Sequence, residues 1–272
     1  MSEALSRLPV DADVETPSAA RVYDYYLGGG HNFPADREFA NKVIAVMPAA
    51  PEVARLNRAF LRRAVRHCAR AGIRQFLDIG SGILTIGGAG NVGEFAASVA
   101  PDCRVVYTDI EPIAVGHGRA ALADHPFAAM IEGDIRDPDL LVADPDVRGL
   151  LDFDQPIAVL MLGVLHYLRD DEAPHELVRR YHALMAPGSF LVLSHGTDEH
   201  KPEPVQAMID LSKISQNPAY MRGRQDVGRF LDGFEVLDPG VVVLPEWRPE
   251  PSDEVGSDLA RMAAYAAVGR RT

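Results

Sequence analysis

The stretch QFLDIGSGILTIGGAG, residues 75–90, closes an apolar run on Asp78 and then turns glycine-rich. A short apolar run that stops at glycines reads as a buried strand followed by a tight turn. Working outward, the same rhythm recurs downstream in "CRVVYTDI", "FAAMIEGDI", "PIAVLMLGVL" and "GSFLVLSHG", each separated from the next by a helical stretch. Runs this continuous suit strands covered on both faces, so the spacing predicts βαβ units and a doubly wound, mostly parallel α/β sheet. "GFEVLDPGVVVL" and "MAAYAAVGRRT" are two more extended segments without a clear helix between them, which predicts an antiparallel element at the sheet edge.

Upstream, "ARVYDYYLGG" and "DREFANKVIAVMP" read as short helices around a glycine turn, and "PEVARLNRAFLRRAVRHCARAG" as a long helix closed by Gly72. The predicted organisation is a flexible arm over 1–18, a helical cap over 19–72 and a core over 73–272. Residues 197–224, longer than one crossover helix needs, form a candidate lid.

Composition narrows the partners. A net charge of −12 opposes gripping nucleic acid or an anionic membrane. The seven arginines between Arg55 and Arg74 allow a basic recognition helix, against the plainer reading of a solvated face over an apolar stripe. The two cysteines, Cys68 and Cys103, lie far apart with no ligand spacing, and nothing resembles a targeting or membrane segment. The expectation is a cytoplasmic protein with no metal, no nucleic acid and no membrane partner.

The turn after the first strand is where an open parallel sheet binds its ligand. Gly80 and Gly82 fit a dinucleotide fingerprint, but Thr85 stands at its third glycine, and no Gly-Lys-Ser/Thr follows as a P-loop would require. Asp78 would face a pyrophosphate as like charge, which argues against an NAD-dependent oxidoreductase. Facing an ammonium it is favourable, and S-adenosylmethionine carries an α-ammonium and a sulfonium with no phosphate. The plainer alternative is that Asp78 caps the following helix and the glycines only turn the chain. Asp109, ending the second strand, suits ribose hydroxyls, and Asp134 with Ile135, after the third, suits an adenine.

With those residues in place, "RVYDYYLGGGHNFPADRE", "NRAFLRRAV", "GIRQFLDIGSG", "LDFDQPIAVLMLGVLHYL" and "APGSFLVLSHGT" resemble the class I S-adenosylmethionine-dependent methyltransferases. More narrowly they resemble the actinobacterial S-adenosyl methyltransferase family formerly catalogued as a domain of unknown function. The likeness spans about 16–272. It implies a Rossmann-like seven-stranded sheet with an antiparallel last strand, and S-adenosylmethionine as cofactor. Asp78, Gly80, Ser81 and Gly82 would lie at the methionine end, Asp109 and Ile110 at the ribose, Asp134 and Ile135 at the adenine. One departure stands out: the family runs almost directly from the glycine turn to an Asn-Val-His-Glu helix start, whereas "LTIGGAGNVGEF" is longer and carries Gly93 for the histidine.

Methyl transfer needs alignment and a dry pocket, and a base only for some nucleophiles. His166 and His195, at the ends of the fourth and fifth strands, are the candidate bases, each weighed against simple packing. In "YDYYLGGGHNF", Tyr25 and Asn32 are the expected ligand-facing residues, with Tyr23 and Tyr26 fixing the helix to the core. The predicted function is methyl transfer to a small-molecule acceptor. The alternative is a non-catalytic S-adenosylmethionine sensor.

Overall fold

The computed structural model describes residues 13–87, 90–200 and 202–272, and among these residues three helices precede the first strand: α1 (Ala19–Tyr26), α2 (Pro34–Val46) and α3 (Ala50–Arg70). Residues 1–12 of the expected arm lie outside the described residues. Its remainder is hydrogen-bonded to the cap. The Arg21 guanidinium donates to the carbonyls of Asp13 (2.7 Å) and Thr16 (2.6 Å), and the Ser18 N–H donates to Asp36 (3.0 Å). Gly72 follows α3 at φ +99°, where the left-handed turn lets Ile73 N–H reach the Cys68 carbonyl (3.0 Å).

Strands β1 (Gln75–Ile79), β2 (Arg104–Asp109), β3 (Ala128–Glu132), β4 (Ala158–Leu162) and β5 (Phe190–Gly196) run parallel in the order β3-β2-β1-β4-β5. Between them lie α4 (Val92–Ala97), α5 (Pro112–Ala121), α6 (Pro138–Ala143), α7 (Pro145–Leu150) and α8 (Pro174–Leu184). After β5 come α9 (Pro202–Ser212), α10 (Arg224–Arg229), β6 (Phe234–Val236), β7 (Val242–Val243), α11 (Asp258–Arg261) and β8 (Ala264–Arg271). β8 is antiparallel to β5 and carries both β6 and β7 on its other side. The sheet therefore has eight strands where seven were expected. The sixth is split because Pro239 has no N–H for the ladder and Gly240 turns the chain at φ +86°.

Successive residues of each strand enter opposite cores. Phe76, Leu160 and Val192 pack with the N-terminal helices, while Leu77, Val159, Met161 and Leu193 pack with Tyr181 and Phe230 on the other face. Burial on both faces is why these runs are apolar throughout rather than alternating.

Four arginines of α3 pair with a C-terminal strap, and one of them, Arg63, is buried. Arg63 donates to Asp253 (2.7 Å) and to the carbonyls of Leu244 (2.7 Å) and Trp247 (2.8 Å), Arg62 also reaches Asp253, and Arg66 and Arg55 meet Glu250 and Glu254. The opposite face of α3 buries Leu56, Phe60, Val65 and Cys68.

Residues 197–224 lie against the cap. α9 packs on α2, Gln216 N–H donates to the Pro17 carbonyl (3.0 Å), and Asn217 accepts from Ala19 N–H (3.0 Å). The same segment reaches the strand ends, where Tyr220 N–H donates to the His166 carbonyl (2.6 Å) and Arg222 N–H to that of Gly196 (3.3 Å). Among the described residues, no helix is long and apolar enough to cross a membrane.

Candidate functional site at the carboxyl ends of the strands

The turn after β1 is built from backbone donors. The N–H groups of Gly80 and Ser81 both donate to the Thr108 carbonyl (2.8 and 3.0 Å), and that of Gly82 to Asp109 Oδ2 (2.7 Å). Gly80 and Gly82 adopt φ of +70° and +66°, a region that L side chains rarely enter. At Gly80 a Cβ would also stand 2.6 Å from Val164 Cγ2. Gly80→Ala is therefore expected to lower stability by about 1–3 kcal/mol and to weaken cofactor binding at least tenfold. Denaturant titration and calorimetry would check this, and a variant that binds and folds like the wild type would take the turn out of the site.

Asp109 is buried and already accepts from two N–H groups, Gly82 and, at Oδ1, Glu111 (2.9 Å), so part of its lone-pair capacity remains for a ligand. Burial pushes its carboxyl above the ordinary range, against the lowering effect of those bonds. Beside it Ile110 is 48% exposed, an apolar surface next to the acid.

Asp78 is buried with no hydrogen-bond partner among the described residues. Burial raises its carboxyl to about 7, with Asp109 adding to the rise and the Arg58 guanidinium opposing it. Arg58 in turn has an enclosed Nε without a partner and a guanidinium 5.8 Å from the Tyr23 ring centroid. No ion pair joins Arg58 to Asp78 among the described residues. A carboxylate with no hydrogen bond from the described residues and a guanidinium whose Nε is unpartnered, set apart near a glycine turn, match the ammonium and carboxylate of an amino-acid end. The expected cofactor fits on that ground.

Tyr23 and Asn57 frame this pair. The Tyr23 hydroxyl donates to the Ala54 carbonyl (3.0 Å) and accepts from Asn57 Nδ2 (3.1 Å), while Asn57 Oδ1 accepts from Ser194 Oγ (2.7 Å). One hydrogen-bonded chain thus joins α1, α3 and β5. Sequence reasoning placed Tyr23 in a packing role and passed over Asn57 and Arg58, although both stand in "NRAFLRRAV", a stretch that carries the family resemblance.

Other expected site residues lie differently. Tyr25 turns its hydroxyl to Asn41 (3.3 Å) on α2. Asn32 is consumed locally: Nδ2 donates to Asp24 (2.8 Å) and the Gly29 carbonyl (3.0 Å), and Oδ1 accepts from Arg37 (3.0 Å). The expectation had both facing a ligand, whereas here their polar groups are engaged within the cap. The reason is that a helical glycine turn needs its own polar groups to close. Asp134 is held by the Arg136 guanidinium at 2.8 Å, and the Ile135 side chain is 8% exposed within the core around Leu141 and Tyr181. Asp78, Gly80, Ser81, Gly82 and Asp109 are therefore assembled around one turn, with Ile110 beside it. Ile135 points into the sheet's packing.

The two histidines separate sharply. His195 is fully buried, stacked on Phe230 at 5.7 Å, with Nδ1 2.7 Å from the Gly196 carbonyl and Nε2 3.1 Å from an Arg222 nitrogen. A carbonyl only accepts and a guanidinium only donates, so Nδ1 carries the proton and the Nε2 lone pair is taken. That corrects the expectation of a base at His195. His166 is partly exposed, with Nδ1 enclosed and unpartnered among the described residues, and its ring lies 4.3 Å from that of Tyr167. Burial, reinforced by Arg222, pushes its imidazole down to about 4. Among the described residues, no three His, Cys, Asp or Glu side chains are grouped to hold a metal ion.

The lengthened loop closes on polar contacts of its own. Asn91 caps α4 by accepting from Glu94 N–H (3.0 Å) and the Tyr107 hydroxyl (2.9 Å), and donates to the Thr85 carbonyl (2.9 Å). Gly93 N–H donates to Tyr107 Oη (2.8 Å), and a Cβ there would approach that oxygen at 3.0 Å. The tyrosine hydroxyl thus fills the space beside position 93. Residues 88 and 89 lie outside the described residues.

The profile of the family described as S-adenosyl methyltransferase matches residues 6–272. A DUF574 family protein from Streptomyces avermitilis is 36% identical over 96% of this chain and 99% of its own, with a TM-score of 0.90. A Thermobifida fusca protein assigned to the methyltransferases is 40% identical over 96% of this chain and 97% of its own, with a TM-score of 0.89. The citrinin polyketide synthase CMeT domain, 16% identical over 92% of this chain and 59% of its own with a TM-score of 0.56, shares the fold. Among curated proteins none matches.

Proposed function

Because the chain belongs to the S-adenosyl methyltransferase family and uses S-adenosylmethionine for methyl transfer, we propose that its acceptor is a small molecule, held between the cap and residues 197–224. The observation that carries this reading is the enclosure of the strand ends. Tyr220 and Arg222 bond to the turn after β4 and to the end of β5, while Ala20 of α1 stands 3.9 Å from where a Cβ at Gly82 would lie and α9 packs on α2. An acidic chain with its site under such a cover suits a metabolite better than a polyanion.

When bound, the cofactor supplies an electrophilic methyl group on a sulfonium. The protein's part is alignment. Ionised Asp78 binds the α-ammonium, Arg58 the α-carboxylate, and the remaining capacity of Asp109 takes the ribose hydroxyls. His166, neutral above about pH 5, orients the acceptor through the exposed side of its ring and receives its proton where the nucleophile must lose one.

The test is formation of S-adenosylhomocysteine from metabolite pools set against nucleic acid and protein pools. Turnover confined to the macromolecular pools would sink the small-molecule reading. With an acceptor in hand, His166→Asn is expected to lower kcat by about 10²–10⁴-fold while leaving S-adenosylhomocysteine affinity unchanged. His195→Asn is expected to lower the melting temperature, since it breaks the Arg222 contact. A kcat loss in His195→Asn with a stability loss in His166→Asn would reverse the two assignments.

A further inference from the structure

At the amino end of β5, opposite the turn after β1, lies an open cavity of about 310 Å³ lined by His67, Ala71, Gly188, Phe190, Leu237, Arg248 and Arg270. It is remote from the methyl-transfer site. His67 and Arg58 sit nine residues apart on α3, about 14 Å along the helix, and β5 runs from Phe190 at this cavity to Ser194 and His195 at the other end.

Its charged lining is cationic: among the described residues neither Arg248 nor Arg270 forms an ion pair, and the neighbouring carboxylate is Glu235, opposite Arg270 across the β6–β8 ladder. Many other arginines of this acidic chain are paired, including four on α3 itself. Arg248 is also held in place: its Nε donates to the Asp238 carbonyl (2.9 Å), its guanidinium lies 5.1 Å from the Trp247 ring centroid, and one terminal nitrogen is 2.9 Å from His67 Nδ1. Its backbone takes φ +46°, a left-handed conformation that a residue with a side chain keeps only when its surroundings impose it. Phe190, Leu237 and Ala71 supply an apolar floor.

We infer that this cavity is a second ligand site, which takes a small carboxylate with an apolar body: the carboxylate meets Arg248 and Arg270 while the body lies on Phe190 and Leu237. A planar carboxylate matches the guanidinium fork. His67 reports on it. Burial and the neighbouring Arg248 and Arg70 hold its imidazole below the ordinary value, so an anion beside it must raise that value and draw in a proton.

The experiment follows the His67 ring proton resonances by NMR against pH, with and without sodium benzoate, in protein saturated with S-adenosylhomocysteine so that the cofactor site is filled. Benzoate is expected to bind saturably and raise the His67 pKa, whereas the neutral benzamide leaves it unchanged. Arg248→Gln and Arg270→Gln should each weaken benzoate at least tenfold while keeping the melting-temperature rise that S-adenosylhomocysteine gives, which certifies the fold. The proposal is overturned by a wild-type His67 pKa that ignores benzoate, or by a response that survives both substitutions together. Binding of inorganic phosphate with none of benzoate would equally overturn it, because the apolar floor would then have no part.

Discussion

Asp78→Asn is expected to weaken S-adenosylmethionine binding by ten- to hundredfold or more and, at the same time, to make the cofactor-free protein more stable at pH 8. The first effect follows from losing a hydrogen bond to a charged group, about 1.5–3 kcal/mol. The second follows from the same burial. In the folded chain the Asp78 carboxyl is raised to about 7, against 3.8 for the free side chain. A raised carboxyl favours folding below about pH 4, where it is protonated in both states, and that contribution is lost as pH climbs through 7. The loss at pH 8 is on the order of 4 kcal/mol, and asparagine removes it. Thermal unfolding should therefore show a variant several degrees more stable than the wild type at pH 8, with the gap closing toward pH 4. In the wild type, cofactor affinity should rise about tenfold per pH unit up to 7 and then level. His166, neutral above about pH 5, adds no second step there. Undiminished binding by the variant would remove Asp78 from the cofactor site. Lost binding without a stability gain would mean that Asp78 ionises normally in the empty protein.

Arg21→Met should be the most damaging single change to the fold outside the sheet. The Arg21 guanidinium is fully buried, 3.0 Å from Asp36 and 3.2 Å from Glu111, and also satisfies the Asp13 and Thr16 carbonyls. Removing it strands two carboxylates out of water, which costs about 3–5 kcal/mol and lowers the melting temperature by about 10 °C. Binding suffers with it. Glu111 caps α5 by accepting from Ala114 N–H (2.6 Å), and its own N–H donates to Asp109 (2.9 Å), so a displaced Glu111 loosens the acid expected at the ribose. Adding Asp36→Leu should recover part of the stability. A single variant that melts within 2–3 °C of the wild type, about 1 kcal/mol, would show that the network is not needed to hold the cap.

Much of the architecture was legible in the order of residues. Apolar runs ending in Asp78 and Asp109 identify strands whose carboxyl ends form the proposed site, and Gly80 and Gly82 mark a turn that only glycine makes easily. The break that divides β6 from β7 was written in Pro239 and Gly240 and went unread, because two short strands on one neighbour look like one long run. For the site, periodicity was a poor guide to direction. Tyr23 and Tyr25 lie two residues apart in one helix, yet one hydroxyl meets Asn57 on α3 and the other meets Asn41 on α2.

The sequence by itself determined the sheet, its glycine turn and the acids beside it. These depend on local rules: the period of apolar residues, the freedom of glycine, and the end of a strand fixing where the next side chain lies. Only the tertiary structure decided which polar groups remain available for chemistry. His166 and His195 are alike as letters at strand ends. A distant guanidinium, Arg222, occupies the one nitrogen of His195 that could accept a proton, and leaves the His166 ring without a direct hydrogen bond to it. Availability is set by what folds against a group from elsewhere in the chain, and burial acts on it through solvation, which no local pattern records.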